Sequence, residues 1–232
     1  SSWPNWNIAR GIAVAPGGQG GYTLDAYGGV HPFGSAPAVS ATGYWNGWDI
    51  ARAITLRADG KSGYVLDGWG GAHPFGPAGD MPPPVQMTGS WPGWDMARDI
   101  VLRPDGVSGY VLDAWGGVHQ FGAAGHMAPS LRTSAFWPNW GIAHRFALNS
   151  AGTGGYVLDG YGVLHPFGNA PSVTVSARWQ TDIARGVTLV PGSNTQGYVV
   201  DAFGGFHPFG GAPDVTSPSY SSGDNVLDVA AG

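Results

Sequence analysis

One fourteen-residue segment occurs five times in this chain, and this repetition is the strongest constraint on how the chain can fold. The segment reads GYVLDGWGGAHPFG at 63–76, with close variants at 21–34, 109–122, 155–168 and 197–210. Every copy has an aspartate, an aromatic residue and a histidine at the same three places, and neighbouring copies are 42 or 46 residues apart. A period of this length is typical of the blades of a β-propeller or of another stacked array.

The residues around one copy predict four short strands per repeat. The β-type run DIARAITL at 49–56 is followed by the turn RADGKSG, by GYVLD and, after the turn GWGGA, by HPF. A proline-rich link then leads to VQMTGSW at 85–91, which we interpret as the fourth strand of the same unit. The sequence therefore predicts an all-β protein, a five-bladed β-propeller of four-stranded antiparallel blades. An open β-solenoid is the alternative.

A single propeller domain is predicted to fill residues 1–232. Its repeat units are expected at 1–43, 44–89, 90–135, 136–177 and 178–222. The remaining segment, GDNVLDVAAG at 223–232, echoes GWDIARAI with Ala231 in the place of the arginine. We interpret it as a partial sixth unit or as a closing strand.

The aspartate and the histidine of each repeat are predicted to face each other across a hairpin. With the hairpin centred on Gly70, Asp67 lies opposite His73. The first strand adds Arg52 on an otherwise apolar face, where we expect it to pair with the hairpin aspartate. The interpretation is a structural polar network in every blade. Its members are Asp25, His31, Asp67, His73, Asp113, His119, Asp159, His165, Asp201 and His207, with Arg10, Arg52, Arg98 and Arg185.

Five metal or catalytic sites are the alternative interpretation of the Asp–His pairs. Two ligands per blade fall short of the four that a zinc ion usually takes. His126 and His144 lie outside the pattern and are too isolated to support a site. We therefore expect neither a metal nor a cofactor.

The composition argues against several functional classes. A net charge of −5 and the scatter of ten basic residues argue against a nucleic-acid-binding surface. No apolar run reaches the length of a membrane span. Glutamate is absent, so a glycosidase with paired carboxylates would have to use aspartates alone. The opening SSWPNW is not a signal peptide, and a secreted protein whose leader has been removed or an excised domain would both begin in this way. We expect a secreted or extracellular protein.

The repeat unit carries two resemblances. It is similar to the glycine- and aromatic-rich repeats of actinobacterial extracellular proteins. The shared feature is a Gly-Gly hairpin that is followed by an aromatic residue and a glycine. Five such units in about 230 residues also resemble the tachylectin-type five-bladed lectins. The second resemblance rests on architecture, length and repeated aromatic residues. It implies an extracellular sugar-binding propeller with up to one pocket per blade.

All eleven tryptophans fall on the hairpins or on the links between blades. The order in which the strands of a blade are connected places these hairpins and links at the same edge of the predicted propeller. Sugar rings stack on exposed indoles, and their hydroxyl groups need a few placed polar groups. One tryptophan of each W-x-x-W link is expected to be a wedge between sheets instead. The predicted ligand-binding residues are the hairpin aromatics Tyr27, Trp69, Trp115, Tyr161 and Phe203 and the link residues Trp45, Trp48, Trp91, Trp94, Trp137 and Trp140.

Near-equal copies favour repeated binding over catalysis, because an active site needs one blade to depart from the others. The predicted function is lectin-like binding of glycans or cell-surface polysaccharide at several equivalent weak sites. A structural or protein-interaction propeller is the alternative, and a glycan-active enzyme is the third possibility that the sequence leaves open.

Overall fold

The structure is a computed structural model that describes residues 3, 6–216, 223 and 226–230. These residues form β-strands, turns and links without a helix. No helix of the length and hydropathy that a membrane span requires occurs among them. The strands are β1 (Ala9–Val14), β2 (Gly20–Asp25), β3 (Val30–Gly34), β4 (Ser40–Ala41), β5 (Ala51–Leu56), β6 (Gly63–Asp67), β7 (Ala72–Gly76), β8 (Gln86–Met87), β9 (Ala97–Leu102), β10 (Ser108–Asp113), β11 (Val118–Gly122), β12 (Ala143–Leu148), β13 (Gly154–Asp159), β14 (Leu164–Gly168), β15 (Ala184–Leu189), β16 (Gly197–Asp201) and β17 (Phe206–Phe209).

Each repeat contributes three consecutive strands to one antiparallel sheet, and five sheets follow one another along the chain. Two sheets have a fourth strand, in the orders β4-β7-β6-β5 and β8-β11-β10-β9. The other three have the orders β1-β2-β3, β12-β13-β14 and β15-β16-β17. The prediction of an all-β chain with one sheet per repeat is confirmed.

The outer strand of a sheet comes from the preceding repeat. β8 pairs with β11 of the third sheet, with Met87 opposite Phe121, and β4 pairs in the same way with β7. The isolated bridges of Thr133 with Phe167 and of Val175 with Phe209 extend this pattern to the fourth and fifth sheets. The prediction that 85–91 completes the sheet of its own repeat is wrong. The proline-rich link is long enough to carry the chain to the next sheet before it pairs.

The strands belong to two compact units, the first with β1 to β9 and the second with β12 to β17. In each unit the core lies between neighbouring sheets, where the tyrosine of one repeat packs against the phenylalanine of the next. The ring centroids are 5.6 Å apart for Tyr22 and Phe75 and 5.9 Å apart for Tyr156 and Phe209. The buried Tyr22 hydroxyl donates a hydrogen bond to the Pro37 carbonyl at 3.0 Å. The repeated tyrosine therefore fills the core and also fixes the link that follows.

The first strand of a repeat contains a β-bulge at its arginine. In the second sheet the pairing passes from Ala51 and Asp67 directly to Ala53 and Leu66, which leaves Arg52 without a cross-strand partner. A bulge re-aims the side chain of the extra residue. Arg52 therefore leaves the apolar face on which simple alternation placed it. The same shift occurs at Arg10, His144 and Arg185.

Residues 226–230 occupy the place of a link and first strand beside the fifth sheet. The Val226 N–H donates to the Ala202 carbonyl at 3.2 Å, as the Ile50 N–H donates to the Ala26 carbonyl at 3.1 Å. Because the Ala26 carbonyl also accepts from the Ala51 N–H, this bond aligns Val226 with Ile50 or Ala51, and Asp228 with Arg52 or Ala53. The predicted alignment on Ala231, a residue outside the described part of the chain, is therefore wrong.

The contacts of this segment explain one departure from the repeat. Arg145 follows His144 where Ala53 stands in the second repeat, and its Nε lies 3.4 Å from Asp228 Oδ1. Arg145 also donates from Nη2 to the Leu227 carbonyl at 3.2 Å. The fourth repeat thus carries the cation that holds the 226–230 segment.

Candidate functional site

Each hairpin loop is built around its aspartate. In the second repeat Asp67 Oδ1 accepts hydrogen bonds from the backbone N–H groups of Trp69 and Gly71, both at 2.8 Å. The Asp67 carbonyl accepts a third from the N–H of Gly70, whose φ of 90° is a conformation that glycine adopts without strain. This is a three-residue loop in which a tight turn is followed by a left-handed glycine. The loop sets the direction in which the Trp69 side chain leaves the sheet.

The hairpin strands pair in a register one residue away from the predicted one. His73 faces Val65, so the hairpin is centred on Trp69 and not on Gly70. The prediction that Asp67 lies directly opposite His73 is wrong, because the left-handed Gly70 belongs to the loop. The two side chains still meet diagonally across the strands, with His73 Nε2 2.8 Å from Asp67 Oδ2. The contact was therefore predicted correctly and its register was not.

The Asp–His contact recurs and involves buried aspartates. Asp201 is 2% exposed, and burial alone would raise its pKa. The hydrogen bonds from His207 and from the N–H groups of Gly205 and Phe203 outweigh burial and hold the pKa of Asp201 below its usual value. The distance between Nε2 and Oδ2 is again 2.8 Å for His31 with Asp25, His165 with Asp159 and His207 with Asp201.

The repeated arginines bind aspartates of the links. Arg52 donates from Nε to Asp95 Oδ1 at 2.9 Å and from Nη1 to Asp49 Oδ1 at 3.1 Å. Arg10 donates from Nε to Asp49 Oδ1 at 3.1 Å. The predicted pairing of Arg52 with the hairpin Asp67 is wrong, because the bulge turns the guanidinium towards the link. Sequence reasoning missed these link aspartates, although WNGWD and WPGWD carry them at the same place.

The first tryptophan of each link is a wedge between two hairpins. The Trp45 N–H donates to the Tyr27 carbonyl at 2.7 Å, and its half-buried ring covers Gly28, where a Cβ would lie 2.8 Å from Trp45 Cζ3. On its other side the ring meets His73 edge-on at 4.8 Å between centroids. The same contact joins Trp3 to His31, Trp91 to His119, Trp137 to His165 and Trp179 to His207, at 4.7 to 4.9 Å. Packing thus accounts for Trp45, Trp91 and Trp137 without a ligand.

The second tryptophan of a link contacts the hairpin aromatic of its own repeat, and we call each such couple an aromatic pair. Trp48 and Trp69 have ring centroids 5.1 Å apart and an interplanar angle of 73°. The link member of a pair is roughly half exposed, from 45% for Trp48 to 57% for Trp6. Further pairs are Trp6 with Tyr27 at 6.1 Å and Trp140 with Tyr161 at 6.0 Å.

The repeats differ around the aromatic pairs. In the third repeat Trp115 contacts Phe136, a 54% exposed residue, at 6.3 Å between centroids. Phe136 directly precedes a wedge tryptophan, and the same place is taken by Tyr44, Ser90 and Arg178 in other links. The link RWQTD before the fifth sheet is one residue shorter and lacks a second tryptophan beside Phe203. These differences make the predicted sites unequal in composition.

The described residues contain no group of three or more His, Asp, Glu or Cys side chains that could hold a metal ion. Their buried side-chain nitrogen and oxygen atoms all have hydrogen-bond partners. The chemically distinctive feature of this surface is therefore its exposed aromatic pairs. In the second repeat, Asp49 directly follows Trp48 of the pair and forms ion pairs with Arg10 and Arg52.

No protein-family model matches the sequence, and no curated protein matches it. Among solved structures, the chain is similar to one titled as the crystal structure of a nidogen/laminin complex, with 14% identity and a TM-score of 0.53 over 84% of this chain and 72% of that one. It is also similar to a structural genomics protein of unknown function from Bacteroides thetaiotaomicron VPI-5482, again with 14% identity and a TM-score of 0.53. That match covers 97% of this chain and 64% of the longer one.

At such low identity the similarity shows the fold alone. The neighbours are β-propellers, and the chain has five antiparallel sheets, one per repeat. The chain is therefore a five-bladed β-propeller, as predicted. The resemblances to tachylectin-type lectins and to actinobacterial repeats stay predictions.

Proposed function

We propose that the protein is a multivalent carbohydrate-binding propeller whose aromatic pairs bind sugar residues of glycans or cell-surface polysaccharide. The observation that supports this most directly is the recurrence of a half-exposed link tryptophan edge-on to a hairpin aromatic. Trp48 against Trp69 is the clearest case. A ring held in this way presents one free face at a fixed angle, which suits stacking against the C–H face of a sugar.

Polar groups suited to sugar hydroxyls lie next to the exposed rings. Asp49 follows Trp48 in sequence, and its side chain is 50% exposed although it is paired with Arg10 and Arg52. The hydrogen bond from Arg10 is the main influence that lowers the pKa of Asp49 and keeps it ionised. An exposed carboxylate and guanidinium beside an indole provide both acceptors and donors for hydroxyl groups.

Repetition makes weak sites useful. Stacking on one ring contributes about 0.5–1.5 kcal/mol, so one site would bind weakly. Several sites on one polymer add avidity without new contacts. This is why a binding module fits the repeats better than an enzyme does. The same proposal includes an extracellular location, as part of a secreted protein.

A glycan array followed by titration of tryptophan fluorescence tests the proposal. Soluble glycans are expected to give saturable binding, and Trp48→Ala is expected to weaken it about fivefold while the protein stays folded. Met81→Ala is the matched control, since Met81 is also exposed but belongs to no aromatic pair. The proposal fails if the array is blank, or if Met81→Ala weakens binding as much as Trp48→Ala does.

A protein-interaction role is the second candidate. One observation favours it: the chain shares its fold with a protein from a structure titled as a nidogen/laminin complex. Exposed Tyr44 and Phe136 would then be contact residues for a protein partner. A blank array together with loss of partner binding in Phe136→Ala would favour this candidate.

A further inference from the structure

Arg178 occupies the same place in the link before the fifth sheet as Phe136 does in the link before the fourth sheet. Each directly precedes a wedge tryptophan whose N–H donates to the carbonyl of the hairpin aromatic. These bonds run from Trp137 to Trp115 at 2.8 Å and from Trp179 to Tyr161 at 3.0 Å. The two links therefore leave their hairpins in the same way. Phe136 contacts Trp115, the hairpin aromatic of the preceding repeat. By this equivalence we expect Arg178 beside Tyr161 of the Trp140–Tyr161 pair.

The Arg178 side chain is exposed and forms no hydrogen bond or ion pair with any of the residues that the structure describes. The nearby carboxylate of the link, Asp182, is already engaged: its Oδ1 lies 2.8 Å from His144 Nε2 and accepts from Arg185 Nη1 at 3.0 Å. Most cations of the chain, such as Arg52 with Asp49, have a carboxylate partner. A guanidinium beside an aromatic pair is thus left available for a ligand.

We infer that the Trp140–Tyr161 pair with Arg178 binds a sugar that carries a carboxylate, such as a uronic acid residue in a polysaccharide. This inference rests on the proposed carbohydrate function and assigns a ligand class to one repeat. A guanidinium recognises a carboxylate through two parallel N–H···O bonds, a geometry that lysine lacks. The sugar ring stacks on the aromatic pair while its carboxylate meets Arg178.

The other links have no charged residue at the place of Arg178. Tyr44, Ser90 and Phe136 stand at the place of Arg178, and none of them is charged. The chain as a whole has a net charge of −5, so a polyanion is not attracted by the protein in general. A preference for acidic sugar would therefore have to come from a local cation.

Calorimetric titration with two matched probes tests this inference. The probes are an oligogalacturonide and the same oligosaccharide with its carboxyl groups reduced to CH₂OH. We expect the acidic form to bind about threefold to fivefold more tightly at low salt, as is usual for one exposed charge pair, with the preference lost near 1 M salt.

Three variants localise the effect. Arg178→Phe, which reproduces the third repeat, is expected to remove the preference for the acidic form and to retain binding of the reduced form. Phe136→Arg is expected to increase the preference by creating a second such place. Arg132→Phe is the charge-matched control, because Arg132 is another exposed arginine of this part of the chain and does not directly precede a wedge tryptophan. This variant should change nothing.

The outcomes separate this inference from the proposed function. Equal binding of both probes by the natural protein overturns the inference and leaves carbohydrate binding in place. Binding of neither probe overturns the inference, and a blank glycan array in addition overturns the proposed function. A preference that survives in Arg178→Phe, or that disappears in Arg132→Phe, places the acidic sugar elsewhere and also overturns the inference.

Discussion

His144 Nε2 lies 2.8 Å from Asp182 Oδ1, the contact that Arg10 and Arg52 make with link aspartates in other repeats. Burial lowers the pKa of His144 below its usual 6.5, and Asp182 opposes this shift only in part. The folded protein therefore binds this proton less tightly than the unfolded chain does. The stability that the neutral His144 provides is complete above pH 6.5 and is lost as the pH falls below that value.

We predict that His144→Arg removes this pH dependence. The difference in unfolding free energy between variant and natural protein should grow as the pH falls from 7 to 5, by at most about 1.4 kcal/mol per pH unit. Denaturant unfolding at several pH values measures it. Equal slopes for both proteins would show that His144 does not titrate in this way.

Asp201 has a lowered pKa, so its contribution to stability is lost only in the more acidic range below its usual pKa of 3.8.

Asp67→Ala is expected to destabilise the protein by about 1–3 kcal/mol, because the N–H groups of Trp69 and Gly71 and the ring of His73 lose their common acceptor. The unfolding free energy in urea is the measurement. Asp80→Ala is the control, since Asp80 pairs only at the surface, with Lys61. A metal ion bound at Asp67 and His73 would contradict this structural role.

Substitution of the two tryptophans of the second link should reduce stability by different amounts. Trp45→Ala is expected to cost about 2–4 kcal/mol of stability, because the ring fills the space between Gly28 and His73. Trp48→Ala should cost less than about 1 kcal/mol, since that ring is 45% exposed. Thermal unfolding of both variants measures the difference. Similar losses of stability would show that both rings are wedges.

Gly186→Ala is predicted to displace the 226–230 segment. A Cβ on Gly186 would lie 2.8 Å from Val229 Cγ1 and 2.8 Å from Val200 Cγ1, so we expect a cost of about 1–3 kcal/mol. Ala53 stands at the same place on β5, so the strand backbone itself accepts a side chain there.

Hydrogen exchange at the Val226 amide, which donates to the Ala202 carbonyl, reports the displacement. Asp228→Ala removes the contact with Arg145 and should raise exchange at the same amide. Unchanged exchange in both variants would show that neither contact holds the segment.

The sheets were predictable because each hairpin needs two adjacent strands and the hairpin motif recurs at a fixed period. The Asp–His contact was predictable too, since two polar side chains on paired strands have few other partners. The hairpin register was not, because the glycines after Trp69 leave open which of them takes the left-handed conformation, and the structure selects Gly70. That choice moves the centre of the hairpin by one residue.

The location of the aromatic surface was predictable from the sequence. Which of its tryptophans are wedges and which belong to aromatic pairs was less so. Connectivity alone brings links and hairpins to one edge, but which tryptophan of W-x-x-W is wedged depends on the neighbouring sheet. Trp45 packs between Gly28 of the preceding repeat and His73 of its own repeat, a combination that no local pattern encodes. The bulge at Arg52 was also not predictable from the local sequence, because its effect is to bring the guanidinium to Asp49 and Asp95 of the links.

The origin of each outer strand in the preceding repeat determines where this chain can be cut or rejoined. A circular permutant opened after residue 43, at a boundary of the sequence repeat, separates β4 from the sheet that it completes. One opened within 35–39, between β3 and β4, leaves every hydrogen-bonded sheet in one piece. A repeat deleted or transplanted as a sequence unit carries the edge of its neighbour with it, so modular engineering of this propeller has to follow the sheets and not the motif.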